Sequence, residues 1–435
     1  MSAEMRERVA SDDSIASRTR AEHGIGLVTA CLFIVGEIAG AGVLAMPAAL
    51  LATGWYLGIF LMIVTCCGSA ICGVLLSECW NQMEREDVTL ATIKTRNPYS
   101  MIGYVAYGRW GSNVTIVSLI LTLFGGSIVQ LLLSAEMIYS LLKPVISADI
   151  SFGEWIIIVG LILLPFTFLG SPVDFSPVAL FAMCSTSVAA LLIVISCLTT
   201  EVTPSEAVPP YRISFMGVLV GIGSMCFAFS GASCMPTIQN DMKHKKSFTK
   251  SVLIAFAILI LIYMPVSVIS FNKFGDDIKS NIIRNLPVSA LTTSIRILMA
   301  GHVLCAYLIL INPVNLNIEN YFGLDHSFNF FRCFSRVLVT LVAIFTGLSI
   351  PKFGKLLSLV GASAVVIQTY ILPVVFYHKL KKNESRVSTR MKILLLVILI
   401  ASVLTAVGAS ASAIFDLLDP KAFTKPCYIA RCDLE

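Results

Sequence analysis

Apolar runs of about 17–32 residues, separated by short polar stretches, dominate the chain. Runs of that length read as membrane-spanning helices, because about 20 apolar residues in a helix cross a bilayer core. Eleven are predicted, at residues 25–51, 55–79, 113–142, 154–170, 175–199, 213–238, 248–271, 288–319, 333–350, 353–377 and 391–417. The polar segment 80–112 separates the second and third, and its NPYSMIGYVAYGRWG portion predicts a surface or interfacial helix. GSPVDFSP predicts a tight turn between the fourth and fifth, and EVTPSEAVPPY a Pro-containing loop before the sixth. The fourth, which contains Pro165, and the ninth are the shortest.

Composition agrees with this pattern. Of 435 residues, 57% are hydrophobic and 13% are charged, and the mean hydropathy is +0.85. A soluble domain carries about twice that charged fraction. A disordered chain, a coiled coil and a soluble enzyme are therefore excluded. The spans leave no room for a separate soluble domain. Residues 1–23 are polar and carry Arg6, Arg8, Arg18 and Arg20, so the first span is expected to act as its own insertion signal rather than as a cleaved leader.

Charge then orients the spans. With the amino terminus inside, 20 of the 31 Lys and Arg residues fall on the cytosolic side, in clusters that include KHKK at 243–246 and six residues between Lys379 and Lys392. This is the positive-inside bias. The formal net charge of +5 is thus a topology signal, with no nucleic-acid partner implied. The expected layout is a cytosolic tail (1–24), a ten-helix core (25–378), a cytosolic loop (379–390), an eleventh helix (391–417) and an extracellular or lumenal tail (418–435). The Asn113 and Asn383 triplets lie on the cytosolic side and read as chance glycosylation matches. Most of the 13 Cys sit in apolar runs as small hydrophobes. Cys427 and Cys432 lie in the outer tail, and there they either form a small disulfide loop or remain two free thiols.

Two spans carry interruptions. The first reads IVGEIAGAGVLAMPAAL, with Gly36, Gly40 and Gly42 near mid-span and Pro47 beyond. The sixth reads GIGSMCFAFSGASCMPTIQNDM, with Ser230, Gly231, Ala232 and Ser233 followed by Pro236. Each Gly weakens a helix by about 1 kcal/mol relative to Ala. Backbone inside a membrane unwinds only where it lines a cavity or meets a ligand. Gly36-x-x-x-Gly40 is also a helix-packing pattern. The pairing favours a binding site: five spans in 25–199 and five in 212–378 make an inverted repeat, with an interrupted helix leading each half.

The residues also carry a resemblance. GEIAGAGVLAMPAALLATGW resembles the first span of the amino acid/auxin permease family, with its GxG-[IV]-L-x-[LM]-P pattern and following GW. NPYSMIGYVAYGRWG resembles the family's Pro-Tyr…Gly stretch. FAFSGASCMPTIQNDMK resembles its sixth-span signature, and SRVLVTLVAIFTGLSIPKFGKLLSLVGA with ILPVVFY its ninth and tenth spans. The likeness runs from Gly26 to Tyr377. It implies an all-α, leucine-transporter-type fold of ten core helices plus one. It also implies secondary transport of amino acids driven by H⁺ or Na⁺, with no other cofactor. Members often have a small or amide residue where this chain has Glu37.

A zwitterion needs opposite partial charges at its two ends, and a broken helix supplies both. Gly40, Ala41 and Gly42 are the expected carboxylate cradle. Carbonyls near Ile38–Ala39 and Phe229–Ser230 are expected at the ammonium, with Phe227, Phe229, Ser230 and Gly231 shaping the pocket. Glu37, an acid in an apolar span, is either a proton or ammonium site or a hydrogen-bonded packing residue. Glu136, nearer the outer end of the third span, is either functional or a snorkelled or capped acid. His302 suits proton coupling, against a structural role. Asn312, Pro313 and Asn315 perturb the inner end of the eighth span, and Arg296 is a pocket or interface charge. No metal-binding or enzymatic motif is present, and no polar stripe suggests a channel. The expectation is a monomeric amino acid carrier in the plasma membrane or an endolysosomal membrane, partnered by lipid and its solute. The alternative is a transporter-like amino acid sensor.

Overall fold

Apolar sequence becomes helix throughout, and polar punctuation becomes caps. The computed structural model describes residues 24–86, 97–146, 149–168, 176–200, 213–324, 328–381, 388–418 and 425–432. The Asn113 triplet is among them, but the Asn383 triplet, the tail 1–23, residues 170–175 of the expected GSPVDFSP turn and the EVTPSEAVPPY loop lie outside the described residues. The helices are α1 (Leu27–Ile38), α2 (Ala41–Thr53), α3 (Trp55–Glu86), α4 (Pro98–Leu142), α5 (Phe152–Thr167), α6 (Ser176–Thr199), α7 (Phe215–Ala228), α8 (Met235–Asn240), α9 (Phe248–Phe274), α10 (Ala290–Tyr321), α11 (Phe330–Ser349), α12 (Phe353–Leu380) and α13 (Thr389–Leu418). Among the described residues there is no strand beyond a single bridge between Ile25 and Met242.

Starts are set by side chains that accept from orphan amides. Ser151 and Glu154 form a capping box on α5. Ser214, Ser289 and Asn329 cap α7, α10 and α11. Among the described residues, eight helices can cross a membrane by length and composition, or nine if α1 and α2 count as one bent span. This is fewer than the eleven expected, because α5 and α7 are apolar but only 16 and 14 residues long. The segment expected as a separate interfacial helix at 97–111 is instead joined to the third span. Only a bend at Tyr107–Gly108 interrupts α4, where Gly108 has φ +64°, a conformation that a side chain disfavours.

The core forms where α10 packs on α4 and α6, and where α2 packs on α7. Near its middle α12 widens into π-helical turns, Gly361–Val365 and Ile367–Ile371, where α7 passes closely. A Cβ at Gly361 would lie 2.0 Å from the Gly223 carbonyl oxygen. α13 lies outermost, with Ile393, Leu396, Val397 and Leu404 exposed on an apolar face that suits lipid. One charge cluster inside the bundle is tightly paired. Arg336 Nε lies 2.5 Å from Glu319 Oε1, Arg332 Nε lies 3.5 Å from the same oxygen, and Arg336 Nη1 donates to the Thr167 carbonyl. The cluster ties α5, α10 and α11 together at one end.

Candidate functional site

Both interrupted spans are broken in the structure, and the two breaks touch. α1 ends at Ile38 and α2 restarts at Ala41, with a 58° bend between them. α7 ends at Ala228 and α8 begins at Met235. A Cβ at Gly231 would lie 2.4 Å from Ile38 Cδ1, and one at Gly42 would lie 2.7 Å from Ala228 Cα. Between them stands Tyr263 of α9, fully buried. Its hydroxyl lies 3.0 Å from the Ile38 carbonyl and 3.1 Å from the Ala228 carbonyl. These are the last residues of α1 and α7, whose carbonyls carry the negative ends of the two helix dipoles. A phenol has one proton, so it satisfies one of these acceptors at a time. The tyrosine ring is held at 5.1 Å from Phe229, which is itself buried.

The opposite pole is the start of α2. The N–H groups of Ala41 and Gly42, in its first turn, have no partner within the helix. Gly40 is approached from the side. A Cβ there would lie 2.6 Å from His302 Nε2 and 3.6 Å from Gln130 Nε2. His302 Nδ1 lies 2.9 Å from the Ala182 carbonyl and 2.8 Å from Thr186 Oγ1, both on α6. A carbonyl only accepts, so Nδ1 carries the proton and Nε2 presents a lone pair toward the break. Glu37 is half-buried and lies within electrostatic range of the Cys234 thiol in the second break. Among the described residues its carboxylate makes no hydrogen bond or ion pair.

The expected cradle residues are thus brought together with the second break, but not as open backbone. The space left by the missing side chains is filled, by His302 at Gly40 and by Ala228 at Gly42. Ser230 and Phe227 are half-buried beside them. Glu136 is not aimed at the breaks. It is buried and accepts from Asn281 Nδ2 at 3.0 Å, with Arg284 Nε at 3.8 Å. Arg296 is half-buried, and its Nε has no hydrogen-bond partner. Asn315 is fully buried with both amide atoms unpartnered. Sequence reasoning missed Tyr263 and Gln130, although each stands out as a polar group in an apolar run.

The two ends of the bundle differ. At the amino-terminal end the broken spans are clamped: Ile25 N–H donates to the Asp241 carbonyl at 2.9 Å, and Lys243 N–H to the Ile25 carbonyl at 3.0 Å. Gln239 donates to Asn81 Oδ1 at 3.1 Å, and Lys245 pairs with Glu84. At the other end a cavity of about 770 Å³ opens between α2 and α7, walled by Ala45, Ala49, Val220 and Gly221. Its rim includes residues 425–432, where Cys427 and Cys432 are joined in a disulfide. Cys427 N–H donates to Leu348, Phe152 N–H donates to Cys432, and Arg431 pairs with Asp149. The hydrogen bond and charge of Arg431 hold the Asp149 carboxyl below its ordinary range. That contribution to docking the tail is present above the ordinary carboxylate pKa and fades as pH falls through the lowered one.

The clamp gives a prediction. Lys243→Pro deletes the donor to Ile25, a loss of about 1 kcal/mol, and also fixes φ at 243 and restricts Met242. Hydrogen exchange of α1, followed by mass spectrometry, is expected to rise roughly fivefold at that cost. Unchanged exchange would show that the bridge does not hold this end shut.

The family described as "Transmembrane amino acid transporter protein" matches residues 23–415. Amino acid transporter AVT3A of Arabidopsis thaliana is 25% identical over 396 residues, covering 88% of each chain. Amino acid transporter AVT1J of the same plant is 23% identical over 411 residues, covering 92% of this chain and 94% of its own. The fold is shared with a Na⁺-coupled sialic acid symporter in its substrate-bound outward-open state, at TM-score 0.56 and 14% identity over 91% of this chain and 89% of that one. A manganese transporter of Eremococcus coleocola gives TM-score 0.55 and 11% identity over 90% and 87%. Two abutting broken helices in an all-helical, leucine-transporter-type bundle, matched from residue 23 to residue 415, place this non-enzymatic, integral multi-pass membrane protein in the transmembrane amino acid transporter family.

Proposed function

We propose that the protein is a secondary active amino acid carrier, coupled to H⁺, that works by alternating access around the two broken spans. The observation that carries this is the Tyr263 hydroxyl shared between the Ile38 and Ala228 carbonyls. It marks where two negative helix ends converge, within a few residues of the positive start of α2. An ammonium has three donors and satisfies both carbonyls at once, whereas the phenol satisfies one. The carboxylate then meets the free N–H groups of Ala41 and Gly42. Substrate binding thus completes hydrogen bonds that the protein alone leaves incomplete, which gives it a means of biasing the two halves.

The amino-terminal end is taken as cytosolic from the basic residues near it. The cavity then faces the extracellular or lumenal side, and the Ile25–Met242 clamp is the closed inner gate. His302 offers Nε2 at the break as a proton acceptor, and Glu37 offers an unpaired carboxylate nearby. Both favour H⁺ over Na⁺ as the driving ion. Movement of the gate would expose Glu37 and His302 to alternate sides.

Purified protein in liposomes, with pH and Na⁺ gradients imposed separately, tests this reading. Saturable uptake that follows the pH gradient and ignores Na⁺ is expected. Binding without net uptake would identify a sensor instead. In the same assay Glu37→Gln, which keeps size and removes the titrating proton, is expected to flatten the dependence of uptake on pH. An unaltered pH profile would remove Glu37 from coupling.

A further inference from the structure

The positive-inside count leaves eleven Lys and Arg for the end opposite the amino terminus. Six of them line one cavity: Lys279, Arg284, Lys352, Lys355, Lys425 and Arg431. They come from three separate segments, the α9–α10 connection, the α11–α12 turn and the disulfide-closed tail. The fold, rather than a local sequence run, brings them together. One carboxylate lines the same cavity, Glu136, and it is buried and engaged by Asn281 and Arg284. Among the described residues the ammonium groups of Lys279, Lys352 and Lys425 make no ion pair. Below this rim the α2 and α7 walls, Ala45, Ala48, Ala49, Ala52, Val220 and Gly221, are uncharged.

We infer that this cavity is an electrostatic funnel for amino acids of net negative charge, so that the carried substrate bears a side-chain carboxylate. The inference rests on the carrier reading above and adds the substrate class. A cleft lined by one sign of charge, with low-dielectric walls, raises the local concentration and association rate of an opposite ion by about 10–10³-fold. The field acts on net charge at long range. A zwitterion gains little from it, an anionic amino acid gains fully, and a cationic one is repelled. The start of α2 at Ala41, one helical turn before Ala45 of the lining, carries the same sign. The tail contributes two of the six cations, Lys425 and the Asp149-paired Arg431, and its disulfide and its contacts with Leu348 and Phe152 fix them at the rim.

The test uses purified full-length protein in liposomes under one imposed proton gradient, with glutamate, glutamine and lysine as probes. At roughly 20 mM salt, where screening extends far, kcat/KM for glutamate is expected to exceed that for glutamine about tenfold or more, with lysine lowest. Raising salt to about 200 mM should shrink the ratio. The combined variant Lys279→Gln, Lys352→Gln, Lys425→Gln should cut the glutamate-to-glutamine ratio about tenfold, through KM, and abolish its salt dependence. A merely structural role for these residues would lower both substrates alike. Equal kcat/KM for glutamate and glutamine at low salt would overturn the funnel while leaving amino acid transport standing. No saturable uptake of any probe would overturn the carrier reading itself.

Discussion

Replacing Arg336 by Leu is expected to destabilise the protein by about 3–5 kcal/mol, the largest single effect foreseen here. The guanidinium is buried between Glu319 and the Thr167 carbonyl, so its loss strands a carboxylate and an acceptor away from water. Arg332, 3.5 Å from the same carboxylate, remains to balance the charge, which puts the effect toward the lower figure. Glu319→Leu alone should cost a similar amount, because two cations are then left facing each other. The pair Arg336→Leu with Glu319→Leu should recover part of the loss, since apolar replacement of a buried pair is often close to neutral, while Arg332 loses its contact with Glu319. Thermal unfolding of the purified protein, run as a double-mutant cycle, measures this directly. Additive losses would show that Glu319 and Arg336 are not energetically coupled.

The fold was legible because lipid leaves few options. Apolar runs marked the helices and two Gly/Ser interruptions marked both breaks, whereas two of the eleven expected spans, α5 and the first half of the sixth, α7, are too short to count as crossings by length. What the sequence left out follows from geometry across long separations. Nothing local says that Lys279, Lys352 and Lys425 share a cavity, because their proximity depends on where three connections land. Likewise His302 reads as a lone titratable residue in a span until Gly40 is seen beneath its Nε2. The glycines illustrate the same gap. Gly40 and Gly42 were legible as a break, but the reason they lack side chains includes room for His302 and Ala228. Glu136 was read with two open alternatives, and its pairing with Asn281 lies 145 residues away along the chain. Helix ends slipped where propensity and tertiary packing compete: α4 begins at Pro98 because a Pro-started helix packs on α12, not because its own sequence is apolar.

Tyr263→Phe is expected to lower amino acid uptake by tenfold or more while leaving the protein folded. The substitution keeps the ring, its packing against Phe229 and nearly all its volume, so the loss is confined to one hydroxyl. That hydroxyl serves two carbonyls that end different helices, and stranding a buried acceptor costs about 1–3 kcal/mol. Each 1.4 kcal/mol is about a tenfold change in an equilibrium constant. If the hydroxyl only filled space, uptake and melting temperature would both stay near wild type. If it only supported the fold, melting would fall and uptake per folded molecule would not. A coupling role makes a third pattern: melting lowered only by the few degrees that one lost hydrogen bond costs, kcat reduced by more than that loss of folded protein explains, and hydrogen exchange raised in α1 and α7 together. Those two helices have no covalent reason to loosen in concert, being more than 170 residues apart, so a joint change would report the shared phenol. Tyr263→Leu, which also removes the ring, should then add a packing loss on top of the same transport defect.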